Sequence, residues 1–330
     1  MTELDIIRSF LGRFPRSPQQ RNAPFTCDAE LVQIGGQLWA MSIDEFSPEE
    51  DLFSDADAPR LGANLAVATL SDLLAAGAVP AFFLHAVCVP KQAPEAFVAG
   101  LADGVAAVLT AAGCHLCGGD VGTAERWRYC GFAMGPVPDS KPLTRVFPPE
   151  PVALWVTGQV GDANLAALTG QPTPRFELRL AEARLARSLG VACIDTSGGV
   201  LDAVWLLSTA NPAARLEIDL AAVPLSPGIA EFAAAQGVPS EAFLLGGAGE
   251  YELLFATPVA LPAAACRELT AAGVTRIGTA GTGGEAGVHL GRGGQAWRRM
   301  TNPPPCPRAA ATVEEHVRAV IQAATELLSL

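Results

Sequence analysis

The chain has 330 residues, half of them apolar, enough for two domains of ordinary size and a substantial core. With 22 Lys and Arg against 34 Asp and Glu, its net charge of −12 excludes a nucleic-acid or anionic-membrane surface, both of which need clustered basic residues. Phosphorylated ligands stay open, because a metal ion can bridge two anions.

Residues 4–14 read as a short amphipathic helix. Glu3, Asp5, Arg8 and Arg13 lie within its pattern and no small-residue cleavage site follows, so a leader is not expected and the expected location is cytoplasmic. After a polar connection at 17–24, residues 25–33 and 37–43 alternate like strands joined at Gly35-Gly36. Residues 45–59 are acidic and read as a surface loop. Residues 61–80 read as an apolar helix ending at Gly77, followed by a strand at 81–89; Gly77 and Pro80 break what would otherwise be a long uncharged run, so no membrane span is expected. A second long helix is expected at 94–112, a strand at 114–116 with Gly118-Gly119-Asp120 as the turn after it, and a strand at 127–135. This half is an α+β unit with two long helices on one side of its strands.

Pro136, Pro138, Pro142, Pro148, Pro149 and Pro151 mark the best domain boundary, giving domains 1–147 and 148–330. The second half alternates strands (152–157, 191–194, 215–219, 251–257, 275–278, 287–290) with helices (one after Asp162, then 176–189, 200–208, 227–236, 261–272, 313–328). It therefore reads as an α/β domain. Cys114 and Cys117 have the two-residue spacing of a metal motif. No second ligand pair accompanies them, so they are expected to be buried apolar side chains that hold no zinc.

Five aspartates stand out: Asp28, Asp44, Asp72, Asp120 and Asp195. Four fall at the ends of expected strands or in the turns after them. Asp72 falls in the middle of an apolar helix, where a buried carboxylate must be paired or bound to a cation unless it faces water. Glycines before a carboxylate, as in Gly118-Gly119-Asp120, let backbone N–H groups approach an anion. The composition suits a metal–phosphate site without a P-loop, since GxxxxGK[ST] is absent; scattered turn aspartates are the alternative.

Six stretches, in order, resemble motifs of the thiamine-monophosphate kinase family of the AIR-synthase-like superfamily: 65–78 (LAVATLSDLLAAGA), 117–120 (CGGD), 154–162 (LWVTGQVGD), 172–175 (PTPR), 193–201 (CIDTSGGVL) and 246–255 (GGAGEYELLF). The resemblance covers nearly the whole chain. It implies an α+β, AIR-synthase-like two-domain fold: an N-terminal mixed sheet with helices on one face, then a C-terminal α/β domain. It implies ATP and Mg²⁺ as cofactors, a small phosphorylated substrate, and a homodimer sharing the sheet-lined site. Asp28, Ser42, Asp44, Asp72, Asp120 and Asp195 fall on metal-ligand positions, with Asp72, Asp120 and Asp195 carrying catalysis. Gly119, Arg145 and Ser197 fall on nucleotide positions. The implied reaction is phosphorylation of thiamine monophosphate to thiamine diphosphate. The implied acceptor is a phosphate and needs no strong base, so His85, His115, His289 and His316 read as structural or exposed.

The departures from the family pattern cluster. One of a pair of aspartates is Cys27, a motif aspartate is Gly198, and Val121 and Gly122 replace two threonines. On the acceptor side Leu52 takes the place of a histidine if Phe53 is matched to the motif's Phe, or Asp51 does without a gap, and Gly249 takes that of a glutamate, with Glu250 beside it as a candidate replacement. Neither Leu52 nor Gly249 offers a side-chain hydrogen bond, and Asp51 in the ungapped match would repel a phosphate, so thiamine monophosphate is expected to be a poor substrate. The alternatives are a same-fold ATP-dependent enzyme with another acceptor, or an inactive nucleotide-binding relative.

Overall fold

A computed structural model describes residues 3–49, 51, 53–294, 297–306, 310 and 312–328. After a helix α1 (Glu3–Leu11), the first half builds a five-stranded sheet from β1 (Glu30–Ile34), β2 (Gln37–Phe46), β3 (Phe82–Val89), β4 (His115–Thr123) and β5 (Arg128–Pro136). The spatial order is β1-β2-β5-β3-β4, all antiparallel except β3 with β4. Gly35 and Gly36, at φ 55° and 86°, make the tight β1–β2 turn, which needs left-handed backbone at both positions.

Helices α2 (Ala58–Ala75) and α3 (Glu95–Ala112) cover one face of this sheet. Asp57 caps α2 by accepting from Arg60 N, and Pro59 sits in its first turn. Because α2 is apolar nearly all round, it is buried nearly all round. Two glycines let α3 cross it closely: a Cβ at Gly62 would lie 2.0 Å from the Leu101 carbonyl oxygen, and one at Gly104 2.0 Å from that of Pro59. By length and apolarity α3 could cross a membrane; here its buried residues pack into the core against α2.

The second half forms a seven-stranded sheet in the order β12-β11-β8-β10-β6-β9-β7. Its strands are β6 (Val152–Thr157), β7 (Ala192–Asp195), β8 (Arg215–Asp219), β9 (Leu253–Pro258), β10 (Val274–Gly281), β11 (Gly287–Gly291) and β12 (Arg298–Arg299). The helices are α4 (Asp162–Thr169), α5 (Leu180–Leu189), α6 (Val200–Ala210), α7 (Pro227–Gln236), α8 (Ala263–Ala271) and α9 (Val313–Leu328). Strand alternation sends Val152, Leu154 and Val156 of β6 into a core with α6 and α9. Ala153 and Trp155 go to the other side, with α5, α8 and Leu74 and Ala75 of α2. Helix α2 is thus shared by both sheets, which places Asp72 between them.

Four expectations change. The strand expected from residue 25 begins only at Glu30, because Arg145 N bonds the Thr26 carbonyl and draws residues 26–28 toward the interdomain segment. The helix expected from 176 begins at Leu180, because Asn64 of α2 holds the preceding segment extended, accepting from Phe176 N and donating to the Pro174 carbonyl. Gly118-Gly119-Asp120 is no turn: β4 runs through it to Thr123, with a bulge between Leu116 and Gly118. Gly119 lets the strands and His85 close up, since a Cβ there would meet the His85 carbonyl oxygen at 2.4 Å. Cys117, beside that bulge, is exposed, while Cys114 is buried; the pair is not uniformly buried as expected.

Candidate active site

Three carboxylates from three distant stretches meet where α2 passes between the sheets. Asp28 comes from the turn before β1, Asp72 from α2 and Asp195 from the end of β7. One oxygen of each lies within 4.8 Å of the others. Asp28 bridges the two halves: Oδ1 accepts from Arg145 Nε (2.8 Å) and Nη2, and Oδ2 accepts from Asp195 N at 3.2 Å. Asp195 accepts from Ser71 Oγ at 2.6 Å and from Ser197 N at 3.2 Å, and Asp72 from Ser42 Oγ. Adjacent on α2, Ser71 and Asp72 thus reach different partners, Ser71 the Asp195 carboxylate and Asp72 the Ser42 hydroxyl, because successive helical residues diverge by about 100°.

The electrostatics suit a bound cation. Burial, opposed by Arg145 and reinforced by Asp195, pushes the Asp28 carboxyl up to about 6. Burial raises Asp72 well above the usual carboxylate range, with Asp44, Asp195 and Asp28 adding to it and Ser42 opposing. One arginine therefore does not neutralise the cluster. An oxygen-only donor set of this charge matches a hard divalent cation such as Mg²⁺.

Of the residues singled out in the sequence, Asp28, Asp72 and Asp195 converge, with Ser42 and Arg145 bonded to them. Asp44 lies two residues beyond Ser42 on the same face of β2, close enough to act on Asp72. Ser197 is exposed at the turn after β7 and holds Asp195 through its backbone N–H. Arg145, expected on a phosphate, is bonded to Asp28. Gly119 faces His85 and pairs with it, whereas Asp120 pairs with Ala86 on the opposite, outer face of the sheet. Within one protomer the sheet separates Asp120 from the other carboxylates.

The altered positions have physical explanations. Cys27 turns into the core, its Sγ 3.4 Å from the Leu143 carbonyl oxygen, and burial beside Asp28 pushes its thiol up to about 12. A Cβ at Gly198 would lie 2.4 Å from Asp202 Oδ2. A Cβ at Gly249 would lie 1.6 Å from the Thr196 carbonyl oxygen, so no side chain fits there. Glu250 does not replace the missing glutamate: its Oε1 accepts from Gly161 N (2.8 Å) and Ala163 N (2.9 Å) at the start of α4. Leu52 lies outside the described residues. Sequence reading missed Ser71, which donates to Asp195; a hydroxyl next to Asp72 was the available signal.

Comparison with known proteins agrees with this architecture. Residues 27–137 match the family model described as AIR synthase related protein, N-terminal domain. The chain is 30% identical to the thiamine-monophosphate kinase of Methanopyrus kandleri over 214 residues, 60% of this chain and 67% of the relative. It is 29% identical to that of Escherichia coli over 280 residues, 78% of this chain and 82% of the relative. The structure of AaThiL complexed with AMPPCP and TMP shares the fold, with a TM-score of 0.73 and 19% identity over 91% of this chain and 94% of that one.

Proposed function

Since the chain belongs to the thiamine-monophosphate kinase family, we propose that it transfers the γ-phosphoryl group of ATP to thiamine monophosphate, giving thiamine diphosphate, in the cytoplasm. The observation that carries this reading is the convergence of Asp28, Asp72 and Asp195 within 4.8 Å at the seam between the sheets. Mg²⁺ held there would bridge phosphate oxygens and offset charge on the transferring group. Asp28, Asp72 and Asp195 would hold the ion, Ser42 and Asp44 would support it from β2, and Ser71 fixes the Asp195 carboxylate. Arg145 keeps Asp28 ionised and adds positive charge beside the phosphates. Gly119 and Ser197 belong to the nucleotide side. The acceptor phosphate is already anionic, so positioning and charge neutralisation supply the catalysis and no side-chain base is needed.

We further propose a homodimer formed through the outer face of the first sheet. Ile43, Phe82 and Leu84 are 66%, 42% and 41% exposed there, and strand pairing places them on one face with Asp120. An apolar patch of this kind on a sheet face marks an interaction site. A dimer would bring Asp120 to the interface, its route to a shared site. Sedimentation at micromolar concentration should show the dimer; a monomer there removes this assembly.

Gly249 favours a second reading, an ATP-dependent enzyme of the same fold with a different acceptor, because the loop leaves no room for the family's glutamate. A coupled assay of ADP release with thiamine monophosphate, run beside an authentic kinase, separates the two. Turnover within about tenfold of the authentic enzyme, a gap of ~1.4 kcal/mol in barrier, supports thiamine-monophosphate phosphorylation. Binding of Mg–ATP without such turnover selects the other acceptor.

A further inference from the structure

Helix α9 buries one stripe against the second half of the chain: His316, Val320 and Ala324, each four residues from the next. Val320 and Ala324 join the apolar core there. His316 makes a polar contact instead, its Nε2 lying 2.7 Å from the Gly246 carbonyl oxygen. A carbonyl only accepts, so Nε2 carries the proton and Nδ1 is a bare lone pair. That Nδ1 is buried and has no hydrogen-bond partner among the described residues. A buried polar atom without a partner costs stability, so for packing alone an apolar side chain would serve better here. What the imidazole adds is the Nε2–H bond to Gly246.

Gly246 opens the stretch Gly246-Gly247-Ala248-Gly249, which belongs to no helix or strand. Three glycines in four residues leave it little stiffness of its own, and Gly247 is left-handed at φ 74°. Its shape is set from outside. Asn164 of α4 accepts from Ala248 N at 2.9 Å and donates to the Phe243 carbonyl at 2.8 Å. A Cβ at Gly246 would lie 2.1 Å from Asn164 Oδ1, so Asn164 and His316 grip the stretch at the same residue. At its far end Gly249 N donates to the Ser197 carbonyl at 3.1 Å, and Ser197 N donates to Asp195 Oδ1 at 3.2 Å. An unbroken run of contacts therefore leads from α9 to a carboxylate of the cluster.

We infer that His316 is a positioning residue for that cluster: by holding Gly246 it fixes residues 246–249 against the turn that carries Asp195, and so sets the place of a cation ligand from the C-terminal helix. What the cluster binds rests on the phosphotransferase reading above. The imidazole acts through the glycine-rich stretch and not on the cation.

Three substitutions separate the bond from the packing. In His316→Gln the terminal amide reaches where Nε2 lies and can donate to Gly246. In His316→Asn it reaches only where Nδ1 lies, and His316→Leu fills the space with no donor. Val320→Ala, one turn further on, removes core contacts of α9 and leaves the Gly246 bond in place. Calorimetric titration of Mg²⁺ at saturating ATP, below every melting transition, should show affinity about tenfold weaker in His316→Asn and His316→Leu, the low end of what losing an outer partner of a metal ligand typically costs. His316→Gln should recover most of it. Val320→Ala should keep wild-type affinity although its melting temperature falls. Amide exchange at 195–199 and 246–249 should quicken in the two variants without the donor and in neither of the others. Wild-type affinity in those two variants, the same loss in Val320→Ala, or no recovery in His316→Gln overturns the inference. If wild type binds no Mg–ATP, the phosphotransferase reading fails on its own. Mn²⁺ alone, followed by electron paramagnetic resonance, then reads His316: weaker binding without the donor and recovery in His316→Gln sustain the inference, and any other result overturns it.

Discussion

Asp72→Asn is expected to weaken Mg–ATP binding by at least about a hundredfold, or ~2.7 kcal/mol, while raising the melting temperature of the ligand-free protein. Both effects share one cause. Asp72 is buried with Asp44, Asp195 and Asp28 around it, so in the absence of a cation its charge opposes folding. Asparagine keeps an oxygen to accept from Ser42 and removes that charge. The cation, however, loses a ligand and the site loses the charge that attracts it. Gain of stability with loss of function is the usual signature of a site strained for binding. Asp57→Asn is the matched control: Asp57 caps α2 and pairs with Arg60, away from the cluster, and asparagine caps as well as aspartate. Calorimetry with ATP in Mg²⁺ and in EDTA, together with thermal melts, measures all of this. ATP affinity that is the same in EDTA removes the metal bridge, and equal losses in the two variants remove Asp72 from the site.

Glu250→Gln should flatten the pH dependence of stability by roughly 2–3 kcal/mol between pH 5 and 8. Glu250 is 7% exposed, and burial pushes its carboxyl from 4.5 up to about 7, against the pull of the Ala163 and Gly161 N–H groups and with Glu252 and Asp162 adding to the rise. The folded state therefore holds a proton that the unfolded chain has released between about 4.5 and 7. Through that window stability falls as pH rises, and above it the folded protein carries a buried carboxylate. Glutamine can accept from the same two N–H groups without a charge to bury, so the variant should match wild type near pH 5 and exceed it at pH 8. Urea denaturation at both values gives the difference. A wild-type-minus-variant gap that does not change with pH would mean that Glu250 titrates no differently folded and unfolded.

The sequence by itself determined most of the elements. Residues 215–219, 227–236 and 313–328 form the strand and helices that periodicity marks, and α2 and α3 differ from expectation by a few residues at their ends. These are local matters: apolar spacing, a capping Asp57 and the breakers Gly77, Gly113 and Pro80 act within one turn or strand. Motif order also grouped Asp28, Asp72 and Asp195, far apart in the chain, and the fold brings their carboxylates within 4.8 Å of one another.

Only the tertiary structure decided which groups meet and which way they face. Strand pairing, with its bulge at Leu116–Gly118, puts Gly119 toward His85 and Asp120 on the outer face; one residue of register reverses both, and no local composition records register. Arg145 bonds Asp28 because both are drawn into the seam between the sheets. Gly249 and Glu250 are adjacent, yet one is pressed against the Thr196 carbonyl and the other turned into the start of α4. Tyr251 follows them into left-handed backbone with its ring against Phe53 and Phe176, a position created by contacts with distant segments, which act only once the chain has folded.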